Sequence, residues 1–563
     1  MFFNNSRVSL MLVAILVVFA VSAFAEETAY RHDLQIPPLS ERGPNVYLEN
    51  PGVPLGPPEN PEVGDSWTWW LFMWQPMPPH FEQHVCTVRG KSDRGYVVVK
   101  DEDWLVLIDQ ADVDSILEHW ENTSVGPYPD QGIYEIDSLS FGDPPDELDN
   151  DPRVYLMWYN FHVSADGFFF SFDMYPDGTF PDYPSNECEV LYLNPTSSGG
   201  PSGDYMHAVV AHEFEHMIHW KYDENESTWV DEGMAELAMW FYGHPDNITS
   251  FNSHPDNNLT IWDGVWADYI KTYLWSLYFF EQYGGHPAVY ALVHEPLNSM
   301  PGYDAVLDDF GYSENTDDIF TDWAVANFLD DTTIGDGRFG YVGDDLPVFF
   351  ALPYSSYPVN ASKTVNNWAT DYYRFKDIPF DYMELTFDGS DSNKFGVRVL
   401  VLHDAAPTEV FALNLDEATQ SGTVVMNDLT DPLDEVVLVV TSVSNSGGPD
   451  YDFTAGEALG ISADPSQPGT DINLVLSQNP FSDTVTMQLN WSGAIADGSP
   501  VIDIYDIQGR IVNTLSADVV SAGSASVLWN GDLQCGNSAN AGIYYARARV
   551  GSHECTVKLM LLP

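Results

Sequence analysis

Short apolar runs rich in β-branched and aromatic residues, such as Gly95-Tyr96-Val97-Val98-Val99 and Arg153-Val154-Tyr155-Leu156-Met157, predict β-strands early in the chain. From Tyr205 to about Phe328 the pattern becomes helical, so residues 84–350 read as one α+β domain. Strand patterning returns from about Tyr357, with Gly, Asp and Ser turns. It is clearest in Leu385-Thr386-Phe387-Asp388-Gly389 and Val436-Val437-Leu438-Val439-Val440, and predicts an accessory β-sandwich over 357–460. A linker over 461–471 contains Ser462-Ala463-Asp464-Pro465-Ser466-Gln467-Pro468-Gly469, and a second small β unit fills 472–563.

The N-terminus reads differently. Arg7 precedes an apolar run from Val8 to about Val21, and Ala23-Phe24-Ala25 offers a cleavage site. Residues 1–25 therefore read as a secretory signal peptide, with an uncleaved membrane anchor as the alternative. No later run is apolar for long enough to span a membrane. Residues 26–83 are Pro-rich between Pro37 and Pro79 and read as an extended segment or prosegment, which puts the start of the α+β domain near His84. A chain of 563 residues is too long for one core, in keeping with several units.

The helical region carries the chemistry. In His212-Glu213-Phe214-Glu215-His216 the two histidines lie four apart, so on a helix both imidazoles project from one face and can share a Zn²⁺. Glu213 stands where a general base could take a proton from a metal-bound water. A metzincin would need glycine at position 219 and histidine at 222, where His219 and Tyr222 stand instead. Ser227 and Thr228 open a second predicted helix, with Asp231 three residues after Thr228, running to about Phe241 with Gly243 as C-cap. On it Glu232 and Glu236 share a face. Glu232 is the candidate third ligand, with His219 as its rival, and Glu236 is placed to accept the free N–H of a ligand histidine. His207 reads as structural.

These two segments resemble the gluzincin metallopeptidases, which combine this histidine pair with a downstream glutamate. Trp229-Val230-Asp231-Glu232-Gly233-Met234-Ala235-Glu236 is similar to their glutamate-ligand helix, including that of secreted peptidases of the immune-inhibitor-A and hyicolysin kind. Phe141-Gly142-Asp143-Pro144-Pro145 and Asn186–Leu193 look like the upper half-domain of those peptidases. The resemblance implies a zincin-like catalytic domain and a zinc endopeptidase acting on extracellular proteins or peptides. Tyr269-Ile270-Lys271-Thr272-Tyr273 and Glu281-Gln282-Tyr283-Gly284-Gly285 resemble the helix that carries the transition-state tyrosine of the aminopeptidases in that class. Tyr269 is thereby implied as the oxyanion donor, with Tyr273 and His244 as rivals. No G-x-M-E-N element for gripping a substrate N-terminus occurs upstream, which disfavours an aminopeptidase. A surface adhesin with a silent peptidase fold is the alternative outside enzymes. Val190–Leu193 is a candidate edge for pairing extended substrate, or an ordinary sheet strand.

A second resemblance lies at the C-terminus. Ser477-Gln478-Asn479-Pro480-Phe481, Ile504-Tyr505-Asp506-Ile507-Gln508-Gly509-Arg510, Val527-Leu528-Trp529-Asn530-Gly531 and Ala541-Gly542-Ile543-Tyr544-Tyr545 look like a type IX secretion sorting domain of immunoglobulin-like fold. The similar domain of flagellar hook-capping proteins is the alternative. The sorting resemblance implies a partner in the export machinery and a secreted or surface location, although Lys558-Leu559-Met560-Leu561-Leu562-Pro563 lacks a terminal basic residue.

Charge and cysteines complete the reading. Asp and Glu number 85 against 20 Lys and Arg, a formal net charge of −65, which rules out nucleic acid and anionic membranes as natural partners. Part of this charge could serve Ca²⁺ at Asp146, Asp149 and Asp151, or these form a plain acidic loop. Four cysteines in an exported chain suggest disulfides, and sequence order favours Cys86–Cys188 and Cys535–Cys555 among three connectivities.

Overall fold

The computed structural model describes residues 39–458 apart from 49–51, 55, 147, 404–406, 427–428 and 430–432. It also describes residues 472–562 apart from 477–480, 482–483, 492–499, 507–509, 517, 522–523, 535–537 and 551–552. The expected signal peptide and linker lie outside the described residues. The chain divides into two units, Met1–Glu457 and Ala458–Pro563.

The first unit begins with a six-stranded sheet formed by β1 (Ser66–Met73), β2 (His80–Lys91), β3 (Gly95–Lys100), β4 (Val154–Trp158), β5 (Gly167–Phe169) and β6 (Val190–Leu193), in the order β1-β2-β3-β4-β6-β5. Strands β3, β4 and β6 are parallel, and β5 closes the sheet antiparallel to β6. A parallel pair needs a long crossover, and α1 (Gln110–Glu121) and α2 (Ile133–Ser140) supply it between β3 and β4. The three parallel strands are almost wholly apolar because both sheet faces are covered. Val97, Val99, Leu156, Trp158, Leu191 and Leu193 face the helices, whereas Tyr96, Val98, Tyr155, Met157, Val190 and Tyr192 fill a second core.

The domain starts earlier than the sequence suggests. All of β1 pairs with β2, and a boundary at His84 would cut through β2. Trp67, Trp69 and Leu71 of the supposed N-terminal extension are buried in the second core, so the prolines flank strand β1 rather than mark an extended segment throughout. The Cys86–Cys188 pairing is also corrected, since both thiols are free and buried. Strands β3 and β4 stand between β2 and β6, which separates them by about 14 Å. Along the sheet, Thr87 is level with Val99, Trp158 and Leu193, and Cys188 lies five positions before Leu193. No disulfide spans such a gap. Burial pushes both thiols well above their ordinary pKa, which keeps them protonated. Cys535 and the Cys555 side chain lie outside the described residues.

Helices α3 (Asp204–Tyr222), α4 (Thr228–Tyr242), α5 (Trp266–Gln282), α6 (Gly285–Val293), α7 (Met300–Phe310) and α8 (Thr316–Leu329) follow. Every residue of α3 from Met206 to His219 is buried, charged ones included, so α3 is a central helix without a water-facing stripe. Helix α4 begins after Ser227 and ends at Gly243, as its sequence predicts. Gly243 has φ 106°, and a Cβ there would lie 2.1 Å from the Gly126 Cα, so only glycine fits.

A sandwich of two sheets completes the unit. Its strands are β7 (Leu352–Tyr354), β8 (Val359–Thr364), β9 (Ala369–Phe375), β10 (Met383–Gly389), β11 (Phe395–Leu402), β12 (Glu409–Ala412), β13 (Ser421–Met426), β14 (Glu435–Ser442) and β15 (Asp450–Glu457), ordered β13-β10-β15-β8 and β12-β11-β14-β9-β7. In β14, Val436, Leu438 and Val440 point into the sandwich, while Val437 and Val439 join the helical core with Leu400 and Tyr372. The Tyr372 hydroxyl donates to the Ala324 carbonyl of α8 at 2.6 Å. The sandwich is therefore fused to the helical layer, with no separate core boundary at residue 350.

The second unit contains β16 (Ile472–Leu476), β17 (Val485–Trp491), β18 (Val501–Asp506), β19 (Ile511–Ser516), β20 (Asp518–Ser521), β21 (Ser524–Trp529), β22 (Gly542–Val550) and β23 (His553–Leu561). They form two four-stranded sheets, β16-β17-β21-β20 and β19-β18-β22-β23, around Trp529, Ile502, Ile504 and Leu559. The protein is thus a multidomain α+β molecule with several β-sheets.

Candidate metal centre

Helices α3 and α4 face each other, and the i, i+4 spacing on α3 brings both imidazoles to one side. The Nε2 atoms of His212 and His216 are 3.1 Å apart. Glu232 Oε2 lies 3.7 Å from the first and 4.0 Å from the second. A tetrahedral centre with bonds of about 2.1 Å has ligand atoms about 3.4 Å apart, so these three groups fit zinc within a few tenths of an ångström. All three are buried.

Each ring has a carboxylate behind it. Glu236 Oε1 lies 3.5 Å from His212 Nδ1, and Asp231 Oδ1 lies 3.1 Å from His216 Nδ1. A proton on each Nδ1, facing its carboxylate, would leave Nε2 of each ring to face the shared centre. Sequence reasoning assigned Asp231 to the helix cap and missed this role. The Ser227 side chain makes no cap hydrogen bond, and Asp231 turns to the histidine instead. His219 is engaged elsewhere, with Nδ1 3.1 Å from Glu215 Oε1, and stands outside the convergent trio. Burial opposes a charge on His216, but Asp231, Glu213 and Glu215 outweigh it and push the pKa up to about 10. The surroundings favour a cation.

A cleft of about 350 Å³ opens over this centre. Glu213, His216, Asp231 and Glu232 line one part of it, Phe168–Phe172 and Tyr183 another, and Trp220, Asp223, Glu224, Glu226 and Thr228 the rest. Glu213 packs against Gly167, where a Cβ would come within 2.9 Å of its Cγ and Oε1. The missing side chain at Gly167 is therefore what seats Glu213.

Other expected residues fall differently. Tyr269 is fully buried, its ring against Trp262 and Trp266, and it does not line the cleft. Tyr273, the rival, donates to Asp344 at 2.8 Å. β6 is not an edge strand, because β5 covers it, and β5 borders the cleft through Phe168 and Phe169. Asp146, Asp149 and Asp151 form no convergent set among the described residues. Asp151 pairs with Arg153 at 2.6 Å and accepts the Tyr96 hydroxyl at 2.7 Å.

Comparison with known proteins reaches the second unit. Residues 478–553 match the FlgD Ig-like domain. The C-terminal unit is therefore immunoglobulin-like, in line with the hook-capping alternative among the two folds its sequence resembles. Nothing among curated proteins matches the chain. Solved structures similar in part include dimeric latent PorU from Porphyromonas gingivalis, 19% identical over 30% of this chain and 16% of that one, with TM-score 0.17. CopC from Methylosinus trichosporium OB3b is 17% identical over 16% and 91%, with TM-score 0.12. A β-glucuronidase from Bifidobacterium dentium is 12% identical over 34% and 39%, with TM-score 0.13. The chain thus spans 16% of PorU and 39% of the glucuronidase, and likenesses this low carry no argument. Among the described residues no helix is long and apolar enough to cross a membrane.

Proposed function

We propose that the chain is a secreted, zinc-dependent endopeptidase with a zincin-like catalytic domain of gluzincin type. One observation carries the reading. His212, His216 and Glu232 converge in a buried trio that borders a peptide-sized cleft lined in part by Glu213. Zinc held there would supply Lewis acidity and a water whose pKa falls toward about 7. Glu213 would accept that water's proton and return it to the leaving amine. Glu236 and Asp231 would keep His212 and His216 in the ligating tautomer. The free edge of β5 would align an extended substrate beside Phe168 and Phe169.

The aminopeptidase reading has its own support, because Asp223, Glu224 and Glu226 could hold a substrate α-amine. For the C-terminal Ig-like domain we propose an export and surface-sorting role.

The chain without residues 1–25 would be prepared with and without Glu213→Gln, assayed for bound zinc, and incubated with unfolded casein at neutral pH. Cleavage at internal bonds, lost in Glu213→Gln while zinc stays, is the expected result. Release of single N-terminal residues alone would favour the aminopeptidase. Zinc binding with no hydrolysis by either protein would overturn both readings in favour of an adhesin.

A further inference from the structure

His207 reads from the sequence as structural, yet the structure surrounds it with metal-ligating groups. It lies in the first turn of α3, only 1% exposed. Its ring stacks on that of His119, from the last turn of α1, with centroids 4.3 Å apart. The Tyr242 hydroxyl at the end of α4 approaches both rings, 3.2 Å from His207 Nδ1 and 3.0 Å from His119 Nδ1. Asp204, the first residue of α3, brings an exposed carboxylate. One ligand atom from each of His119, Asp204 and His207 lies within 4.8 Å of the others.

We infer that His119, Asp204 and His207 form a second site for a divalent transition metal, zinc above all, separate from the His212 centre. The chemistry of the donors selects the ion. Two imidazoles and one carboxylate suit zinc or copper, whereas calcium and magnesium prefer oxygen throughout. Nε2 of His207 is buried with no hydrogen-bond partner, a costly arrangement in a core unless something else satisfies the ring. Burial, and secondarily His119, push the His207 pKa down to about 3, so no proton competes for the ring at neutral pH. The last turn of α1 adds the negative end of a helix dipole on the His119 side. The rings now lie nearly parallel, at 24°, so their in-plane lone pairs run side by side. His119 is half-buried at a helix end, and one ligand atom of each ring already lies within 4.8 Å of the other and of an Asp204 oxygen.

The role is structural. His207 lies five residues before His212 on the same helix, about 7.5 Å along its axis. An ion here clamps the end of α1, the start of α3 and, through Tyr242, the end of α4. It thereby fixes the helix that carries the first centre.

The test is zinc stoichiometry of the chain without residues 1–25, stripped with chelator, reloaded with zinc alone and desalted. Two zinc ions per chain are expected, falling to one in His119→Gln, in Asp204→Asn and in His216→Gln. In the His216→Gln background, zinc should still raise Tm, and His119→Gln should abolish that rise. Both His119 and Asp204 reach the surface, so their variants should fold, which circular dichroism checks. A single zinc that is lost in His216→Gln and unaffected by His119→Gln and Asp204→Asn would overturn the inference. A single zinc lost in His119→Gln but kept in His216→Gln would uphold it while removing the proposed catalytic centre.

Discussion

Asp231 stands between two histidines, its Oδ1 3.1 Å from Nδ1 of His216 and 3.5 Å from Nδ1 of His219. It is the neighbour of Glu232 in sequence, so one turn of α4 delivers both a candidate ligand and the carboxylate that orients another ligand. Glu236 does the same for His212 one turn later. Removing such a partner leaves the ligands in place but lets a ring turn. Asp231→Asn should weaken zinc binding about 10- to 100-fold, measured by competition with a chromophoric chelator. Unchanged affinity would mean that Asp231 does not orient His216.

Gly167 sets the position of Glu213 by leaving room for it. In Gly167→Ala the new Cβ meets Glu213 Cγ and Oε1 at 2.9 Å and the Tyr192 carbonyl at 3.1 Å. The backbone carbonyl of β6 cannot yield, so the glutamate must move. A displaced base costs on the order of 10²-fold in kcat when the shift approaches 1 Å. Zinc content should stay at the wild-type level. Loss of zinc together with activity would point to general collapse of the site.

The pattern of strands and helices was legible because the parallel strands are uniformly apolar and α4 carries its own start and stop in Ser227 and Gly243. The two candidate histidines were legible because i, i+4 spacing puts them on one side of α3, whereas Glu232, on α4, was named from its own helix and the motif it resembles. Asp231 was not, since a carboxylate three residues after Thr228 reads equally as a cap. Tyr269 rested on the similarity of a helix, which does not say which face meets the cleft, and its buried ring packs on Trp262 and Trp266. The domain start was missed because prolines around Trp67 and Trp69 obscured a strand that only its pairing with β2 reveals. The Cys86–Cys188 pairing followed chain order, which carries no information about the two strands lying between them.

Asp173 gives the fold a pH dependence of its own. It is fully buried, accepts from the Tyr192 hydroxyl at 2.6 Å and the Asn186 amide at 2.5 Å, and burial pushes its pKa up to about 7. The folded state therefore holds this proton more tightly than the unfolded chain, whose aspartate titrates near 3.9. Between those values the native state binds more protons, so stability falls as pH rises from about 4 to about 7 and then levels off on this group's account. Asp173→Asn should flatten that part of a Tm-against-pH curve. An unaltered slope in the variant would assign it to other groups.

The cleft also predicts a preference. Asp223, Glu224 and Glu226 line it together with Trp220, and the Tyr175 hydroxyl donates to Glu224 at 3.4 Å. Apart from His216, no basic side chain among the described residues lines this space. A lysine or arginine in the substrate would find carboxylates for its charge and aromatic faces for its stem. Peptides with Lys next to the scissile bond should show kcat/KM about tenfold above their Glu counterparts, with the ratio shrinking in high salt. Charge reversal in Glu224→Lys should narrow or invert that ratio while leaving zinc content unchanged. Equal rates for the two peptides would mean that the substrate does not run past the acidic rim. The same preference bears on self-digestion, because a chain with only 20 Lys and Arg among 563 residues offers few sites that such a cleft would accept.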